Sequence, residues 1–181
     1  TLSPKLSITE NIKEGASANF QEDGFVKPQQ VIFLHEGSLQ NCLISPRTAK
    51  EYNLTTNGSN SEESPTALDI YPGSLREDSI LTELHEGLYI NNLWYLNYSD
   101  RQAGRITGMT RFATFWVENG KILAPVNVMR FDDSIYHFLG SNLMDLTQNR
   151  EYILDSSTYD ERSCHSLRLP GALIKDFALT L

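Results

Sequence analysis

The sequence is poor in cysteine and has no long apolar segment. Cys42 and Cys164 are the only cysteines in 181 residues, too few for a disulfide-stapled scaffold and ordinary in a reducing cytoplasm. No run approaches the roughly 20 apolar residues of a membrane span. The N-terminus also lacks the basic and then apolar segment of a signal peptide. We therefore expect a soluble, cytoplasmic protein that makes no contact with a membrane.

Basic residues are in deficit. Fifteen Lys and Arg stand against 23 Asp and Glu, so the formal net charge is -8. Such a surface repels a phosphate backbone unless the few cations gather on one face. We therefore expect no nucleic-acid partner.

Motifs for catalysis and metal binding are missing as well. The sequence has no HExxxH, no phosphate-binding loop and no nucleophile-elbow motif. His35-Glu36-Gly37 and His85-Glu86-Gly87 begin like zinc motifs, but neither has a second His one helical turn later, as one metal ion would require. We interpret both triplets as a polar residue before a turning Gly, and we predict no catalytic residue and no metal ligand in this chain.

Cys164 and His165 form the other pair with reactive side chains. A thiolate and an imidazole can bind metal or act as nucleophile and base. Adjacent residues of an extended chain point to opposite faces, however, and no third partner has a recognisable spacing. We keep both only as candidate substrate or interface residues.

The clearest local structure is a β-hairpin centred on Asn119-Gly120. The segment 111–118 before it is rich in Thr, Phe, Trp and Val, and 121–131 after it alternates apolar and polar residues, so both are predicted strands. Asn followed by Gly reaches the positive φ angles of a two-residue hairpin turn at the lowest steric cost.

Apolar alternation predicts the other strands. They are an edge strand around Leu6, Ile8 and Ile12, a hairpin over 25–43 that turns at Glu36-Gly37, a strand at 67–71, a strand buried on one face at 88–98, and a last strand over 166–181 that bends at Pro170-Gly171. Core packing is favoured over an aromatic-lined groove for the aromatic residues Trp94, Tyr95, Tyr98, Phe112, Phe115 and Trp116.

Three short helices are predicted between these strands. The first runs from Pro46 to about Tyr52 and is capped by Ser45. The second follows a cap at Asp78 or Ser79 and ends at Gly87 in a left-handed conformation. The third starts at Asp132 and Asp133 and carries an apolar face as far as Leu146. Residues 53–66 are predicted to form a mobile loop, and 147–163 a polar, turn-rich segment.

Together these elements indicate a mainly β fold with a few short helices, a β-rich α+β class. We expect antiparallel sheets that pack face to face or roll into a barrel-like domain. The length favours a single domain over 1–181, and two small domains remain the alternative.

Several segments in this order resemble the C-terminal domain of the TldD/PmbA family, from about Phe25 to the end of the chain. They are Gly87-Leu88-Tyr89-Ile90, Thr107-Gly108 before an aromatic strand, Glu118-Asn119-Gly120-Lys121-Ile122, Pro125-Val126, and Leu169-Pro170-Gly171-Ala172-Leu173-Ile174-Lys175-Asp176-Phe177.

The resemblance implies a cytoplasmic peptidase system, also called modulators of DNA gyrase, whose members pair as dimers and carry an α/β domain before this one. That N-terminal domain is expected to be absent from this chain. The TldD branch has a zinc HExxxH and a Cys ligand in a Gly-rich context, whereas the PmbA (TldE) branch lacks the zinc ligands. Here no HExxxH exists, Cys164 lacks that context, and Met109 replaces the usual acidic residue after Thr-Gly. The PmbA branch is therefore the better match.

The resemblance implies a non-catalytic part of a metallopeptidase assembly that contributes substrate-chamber or dimer surface. It implies no cofactor in this chain, zinc in a TldD-like partner, and as partners a TldD/PmbA-type subunit or a second copy, together with an extended or unfolded peptide. The candidate substrate or interface residues are Thr107, Gly108, Arg111, Cys164 and His165. The alternative is a non-enzymatic binding or structural module that keeps the fold without proteolysis.

Overall fold

A computed structural model describes residues 1–159 and 162–180. Thirteen strands occur in these residues: β1 (Ile8–Asn11), β2 (Gln30–His35), β3 (Ser38–Leu39), β4 (Ala67–Ile70), β5 (Gly87–Ile90), β6 (Leu93–Asp100), β7 (Arg105–Thr110), β8 (Thr114–Glu118), β9 (Lys121–Pro125), β10 (Arg130–Ser134), β11 (Leu143–Leu154), β12 (Ser166–Ile174) and β13 (Leu179–Thr180). The helical segments are α1 (Pro46–Tyr52), a 3-10 turn (Glu77–Ser79), α2 (Ile80–Leu84) and a π-helical turn (His137–Ser141). The prediction of a mainly β fold with short helices is confirmed.

The chain forms two compact units. Unit 1 contains Thr1–Lys5, Gly73–Asn149 and the segment from Gly171 onward, and unit 2 contains Leu6–Pro72 and Arg150–Pro170. The chain passes from one unit to the other within β11 and again within β12.

Unit 2 is built on a mixed sheet with the strand order β11-β12-β4-β1-β2-β3. β1 pairs antiparallel with both β2 and β4, so its prediction as an edge strand is wrong. β12 runs parallel to β4, which departs from the antiparallel expectation. A parallel pair needs a long crossover connection, and the chain between these two strands supplies it. The β2–β3 hairpin turn is confirmed, with positive φ at Glu36 (49°) and Gly37 (75°).

The helix after Ser45 is confirmed in unit 2. The Ser45 hydroxyl accepts from the Thr48 amide, and Asn53 closes α1 in the left-handed region. Residues 53–66 form no helix or strand. Their composition does not reveal that polar contacts hold them: Asn57 Oδ1 accepts from the Ile44 amide at 2.9 Å, and Glu63 Oε1 from the Ser45 amide at 2.8 Å.

Unit 1 contains a sheet of order β13-β10-β7-β6 and a second sheet of order β5-β8-β9. The Asn119-Gly120 hairpin is confirmed, with φ of 51° and 72° at these residues. Its second strand is shorter than predicted, since β9 ends at Pro125. Pro125 has no N–H with which to continue the ladder, and the chain enters the other sheet at Arg130.

Two further predictions for unit 1 are wrong in their boundaries. The strand over 88–98 is two strands, β5 and β6, which belong to different sheets and are separated at Asn91-Asn92. The second helix ends not at Gly87 but at His85, which has a φ of 55°, and Gly87 begins β5. No side-chain cap precedes α2.

The helix over 132–146 is also wrong. Asp132 and Asp133 belong to β10, the π-helical turn covers only His137–Ser141, and Leu143 begins β11. Gly140 adopts non-helical angles (φ -97°, ψ -119°) and ends the turn. β11 extends to Leu154, so the first half of the segment predicted to be turn-rich is strand.

The C-terminal strand is confirmed by β12, and the segment beyond it forms the separate strand β13. Leu181, the last residue of that prediction, and residues 160–161 of the turn-rich one lie outside the described residues. No helix in the described part of the chain has the length and apolar character needed to cross a membrane.

An aromatic cluster forms the core of unit 1. Phe131 is completely buried, and its ring centroid lies 5.1 Å from that of Phe177, which in turn contacts Phe138 at 5.6 Å. Val117 is also completely buried. The Phe131 side chain thus anchors β10 beneath the neighbouring strand β7.

Candidate functional site

β6 forms one edge of the four-stranded sheet in unit 1. It pairs with β7 on one side, and no other strand of the described residues lies on its outer side. All eight of its residues are exposed. An edge strand offers a row of backbone N–H and C=O groups to any chain that can pair with it.

The pairing of β6 with β7 is irregular near its start. The register runs from Trp94↔Met109 directly to Asn97↔Thr107, and Tyr95 has a φ of 52°. An extra residue of this kind is a β-bulge, which bends the strand and redirects side chains. A positive φ on a bulky aromatic residue is uncommon and costs energy. The bulge thus directs Tyr95 outward, where it is 74% exposed.

Aromatic side chains dominate this edge, contrary to the predicted core packing. Tyr98 and Phe112 are more than half exposed and Trp94 is 48% exposed, and Trp116 on β8 of the other sheet is about one-third exposed. Only Phe115 of the predicted set is less accessible than these. Large apolar groups that share one exposed region mark interaction sites more often than chance placement.

Arg111, a predicted candidate, is part of this edge. Its guanidinium lies 4.2 Å from the centroid of the Trp94 ring and 5.6 Å from that of Phe112. A cation over an aromatic face is attracted by the ring quadrupole. The Arg111 amide also donates to the Asn92 carbonyl at 3.0 Å, so the backbone fixes the base of this stack.

Thr107 and Gly108 lie on β7, the strand next to β6 in the sheet. The Thr107 hydroxyl donates to the Phe131 carbonyl at 2.9 Å, and a Cβ on Gly108 would lie 2.7 Å from the Phe131 ring and 2.9 Å from the Leu96 side chain. Only a residue without a side chain fits between Phe131 and Leu96 at this point. Thr107 and Gly108 therefore support β6 from the neighbouring strand, whereas Arg111 lies on the exposed surface.

The far end of β6 is tied to its sheet by a charged contact. Hydrogen bonds from the Ser99 side chain and from Arg105 lower the pKa of the Asp132 carboxyl below its ordinary value. The Arg105 guanidinium reaches Asp132 Oδ1 at 2.5 Å. Residues of β6, β7 and β10 thus meet at one carboxylate.

Replacing Asp132 by Asn is expected to reduce resistance to urea at pH 7 by more than at pH 3. Because the pKa is lowered on folding, the carboxylate stabilises the fold above about pH 4, the ordinary pKa of Asp, and the effect fades as the pH falls through the folded value. Solvent reaches this carboxyl, so the change is small. Urea midpoints from tryptophan fluorescence measure it, and an equal shift at both pH values would contradict the assignment.

Cys164 and His165 belong to unit 2, so the structure does not group them with the residues of β7. Both are exposed. Their backbone carbonyls accept from the Ser17 hydroxyl at 2.9 Å and from the Asp155 amide at 2.9 Å. Hydrogen bonds from the Ser157 amide and the Ser163 hydroxyl lower the pKa of Asp155, and the charge of His165 adds to this effect.

Within residues 1–159 and 162–180, no three His, Cys, Asp or Glu side chains are arranged to hold a metal ion. His35 and His85 both stand at turns: His35 ends β2, and His85 ends α2. His35 stands before a turning Gly, as predicted, because Gly37 has a φ of 75°. The same interpretation of His85 is wrong, because His85 itself has a φ of 55° and Gly87 begins β5.

Sequence reasoning missed the exposed edge itself. Leu93, Trp94, Tyr95 and Leu96 are consecutive apolar residues, and such a run normally predicts a strand buried on both faces. The signal that could have indicated otherwise is the polar pair Asn91-Asn92 just before this run, where the chain leaves one sheet for another.

The PmbA/TldA metallopeptidase C-terminal domain family matches residues 1–180. No curated protein sequence matches the chain.

Solved structures share the fold at low sequence identity. TldE from Thermococcus kodakarensis has a TM-score of 0.80 and 12% identity over 99% of this chain. A proposed modulator of a DNA gyrase from Thermotoga maritima has a TM-score of 0.79 and 18% identity over 99% of the chain, and one from Bacteroides thetaiotaomicron has 0.76 and 18% over 99%. The chain spans 40%, 40% and 37% of these three proteins, respectively.

Proposed function

This chain belongs to the PmbA/TldD family as a C-terminal domain, and on that premise we propose that it is a non-catalytic part of a metallopeptidase assembly that holds an extended peptide along β6. The family is described as a metallopeptidase family. The observation that carries the proposal is the outer edge of β6, where all eight residues are exposed.

Strand addition is the mode of binding that this edge favours. A peptide that pairs with an edge strand forms backbone hydrogen bonds, and pockets for alternate side chains add selectivity. The exposed Trp94, Tyr95 and Tyr98 provide apolar contacts beside the backbone. Arg111 over Trp94 and Arg101 over the Tyr98 ring, at 5.3 Å, add cations to a chain that is negative overall. Such a surface recognises an extended backbone more than a particular sequence.

In this proposal the zinc comes from a TldD-type partner in the cytoplasm. No three His, Cys, Asp or Glu side chains of the described residues are grouped to hold it, and in this proposal the chain orients the peptide. The cut would then be made by residues that the partner contributes.

A second candidate function of the same edge is a subunit interface. The chain spans 37–40% of the three related structures. In this second function the exposed aromatic residues of β6 face a partner subunit or a second copy. Both proposals use β6, but they differ in what pairs with it.

Peptide binding at β6 can be tested with the 181-residue chain and a fluorescently labelled, unstructured ten-residue peptide. We expect Tyr95→Ala to weaken binding by about tenfold, as truncation of an interface aromatic does. Fluorescence anisotropy measures the dissociation constants. The matched control is Tyr52→Ala, because Tyr52 is a similarly exposed tyrosine (66% against 74%) in unit 2.

The peptide itself supplies a second control. A copy with methyl groups on alternate backbone nitrogens keeps its side chains and loses the donors that strand addition needs. Equal binding of both peptides would exclude strand addition. Loss of a dimer by light scattering in Tyr95→Ala, with no peptide bound to the unchanged chain, would favour the subunit interface instead.

The non-catalytic role has its own test. The chain with added zinc is expected to leave an unfolded peptide intact, and cleavage is expected to require a co-purified TldD-type partner. Cleavage by the chain alone would contradict the role. No cleavage and no zinc in the combined preparation would instead support a binding module without proteolysis.

A further inference from the structure

Unit 2 contains an open, polar groove of about 460 Å³ on one face of its sheet. This volume lies within the ~300–1,000 Å³ of small-ligand sites. The lining residues used below are Asn11, Lys13, Gln30, Asp69, Tyr71 and Arg150. They come from the ends of β1, β2 and β4 and from β11, so the groove is formed by residues distant in sequence.

A buried carboxylate organises the floor of the groove. Asp69 is 3% exposed, and its carboxylate accepts from Asn11 Nδ2 at 2.9 Å and from the Arg150 guanidinium. Arg168 Nη1 lies 3.9 Å from the same carboxylate. A buried charge needs such partners, and they hold Arg150 in one orientation.

Several polar groups of the groove keep donors for a ligand. In the described part of the chain, Arg150 bonds through Nη1 alone, to Asp69 and to the Ile70 carbonyl. Nε and Nη2 thus remain for another acceptor. The Tyr71 oxygen accepts from Gln30 Nε2 at 3.0 Å, which leaves the Tyr71 O–H free to donate.

The groove is lined by two cations and two anions, and the neighbouring Arg168 adds one further cation. Asp69 is paired with Arg150, and Glu14 with Arg168. Lys13 is exposed and forms no ion pair within the described residues. A ligand with one negative charge would therefore complete the balance, and the amides of Asn11 and Gln30 can bond to further polar groups beside it.

We propose that this groove binds the carboxylate of a peptide, held by Arg150, Lys13 and the Tyr71 hydroxyl. Arginine suits a carboxylate because its planar donors match the two oxygens. The choice of a peptide as carrier rests on the proposed function, since peptide cleavage produces new carboxylate ends. The carboxylate is either a C-terminus or an acidic side chain, and both present the same two oxygens.

Three acetylated tripeptide probes distinguish these sources when they are titrated into the 181-residue chain by calorimetry. The first, of three alanines, has a free C-terminus; the second is its C-terminal amide; the third is an amide with a central Glu. We expect at least one acidic probe to bind about tenfold more tightly than the neutral amide, as a charge-assisted hydrogen bond provides. Preference for the first assigns the C-terminus, and preference for the third assigns a side chain.

Variants locate the binding. Arg150→Met leaves the buried Asp69 with one partner fewer and can unfold the chain, so Lys13→Gln and Tyr71→Phe carry the test. Each is expected to reduce the affinity for the preferred acidic probe several-fold, whereas Lys50→Gln, an exposed lysine of α1, changes nothing. Equal binding of all three probes, no binding of any, or unchanged affinity in both variants would overturn the proposal.

The proposals for the β6 edge and for the groove can be tested separately. Tyr95→Ala lies in unit 1 and leaves the groove residues intact, so it is expected to lose the ten-residue peptide and keep the acidic tripeptide. Lys13→Gln is expected to do the reverse.

Discussion

Replacing Phe131 by Ala is expected to lower the free energy of unfolding by about 3–5 kcal/mol, the usual cost of a buried Phe truncated to Ala. Phe131 is completely buried and contacts Phe177. Gly108 leaves no side chain that could fill the space. A cavity beneath β7 would remain, since the surrounding backbone can collapse only in part.

Urea denaturation followed by tryptophan fluorescence measures this loss. Trp94 and Trp116 are the only tryptophans, and both lie in unit 1 with Phe131. Phe112→Ala is the matched control, because Phe112 is 64% exposed and its truncation is expected to change stability by about 0.5 kcal/mol or less. Similar losses in the two variants would show that Phe131 is not the anchor of this core.

The same core explains part of the β6 edge. Leu96 on β6 and Phe131 on β10 both approach Gly108, so β6 packs on its sheet through contacts below the strand. The exposed aromatic side chains of β6 are then free to bind a peptide. We therefore expect Phe131→Ala to weaken peptide binding at β6 indirectly, through a loosened support, while Tyr95→Ala weakens binding without loss of stability.

Local signals were sufficient where a few neighbouring residues determine the backbone. The turn at Asn119-Gly120 and the helix capped by Ser45 are confirmed, because positive φ and capping depend on the residues themselves. The mainly β class was also predicted correctly.

The predictions for Asp132 and Asp133 and for β1 were wrong because strand pairing between residues distant in sequence determines these elements. Asp132 and Asp133 resemble a helix start, but their pairing with β7 places them in a strand. β1 looked like an edge because its sequence is polar, yet it lies between β2 and β4. Sheet partners depend on residues far apart in the chain, and β propensity depends on that context.

The candidate sites divide in the same way. Thr107, Gly108 and Arg111 came from the resemblance and lie on or directly after β7, next to β6. The exposure of Trp94 and Tyr95, however, depends on which strands remain unpaired. The groove of unit 2 joins Lys13, Asp69 and Arg150 from distant parts of the sequence, and no local pattern indicates it. A site formed by residues that are distant in sequence can be identified only in the folded structure.

A buried ion pair in unit 2 gives the second large effect. Lys27 and Glu10 are 6% and 3% exposed in their side chains, with Lys27 Nζ 3.7 Å from Glu10 Oε1. The Thr66 hydroxyl joins them: it donates to Glu10 Oε1 at 3.0 Å and accepts from Lys27 Nζ at 3.0 Å. Lys27→Met is expected to destabilise unit 2 by about 3–5 kcal/mol, because it leaves Glu10 charged and without a cation.

The double variant Glu10→Gln with Lys27→Met separates a lost attraction from a stranded charge. Glutamine can still accept from the Thr66 amide, which donates to Glu10 at 3.1 Å, and neither charge then remains in the interior. We expect the double variant to regain most of the stability lost in Lys27→Met, since buried pairs exchange for neutral residues at little cost. Hydrogen exchange of the β1 amides measures both changes within unit 2. If the double variant were as unstable as Lys27→Met, the pair itself, not the desolvated carboxylate, would hold β1 in place.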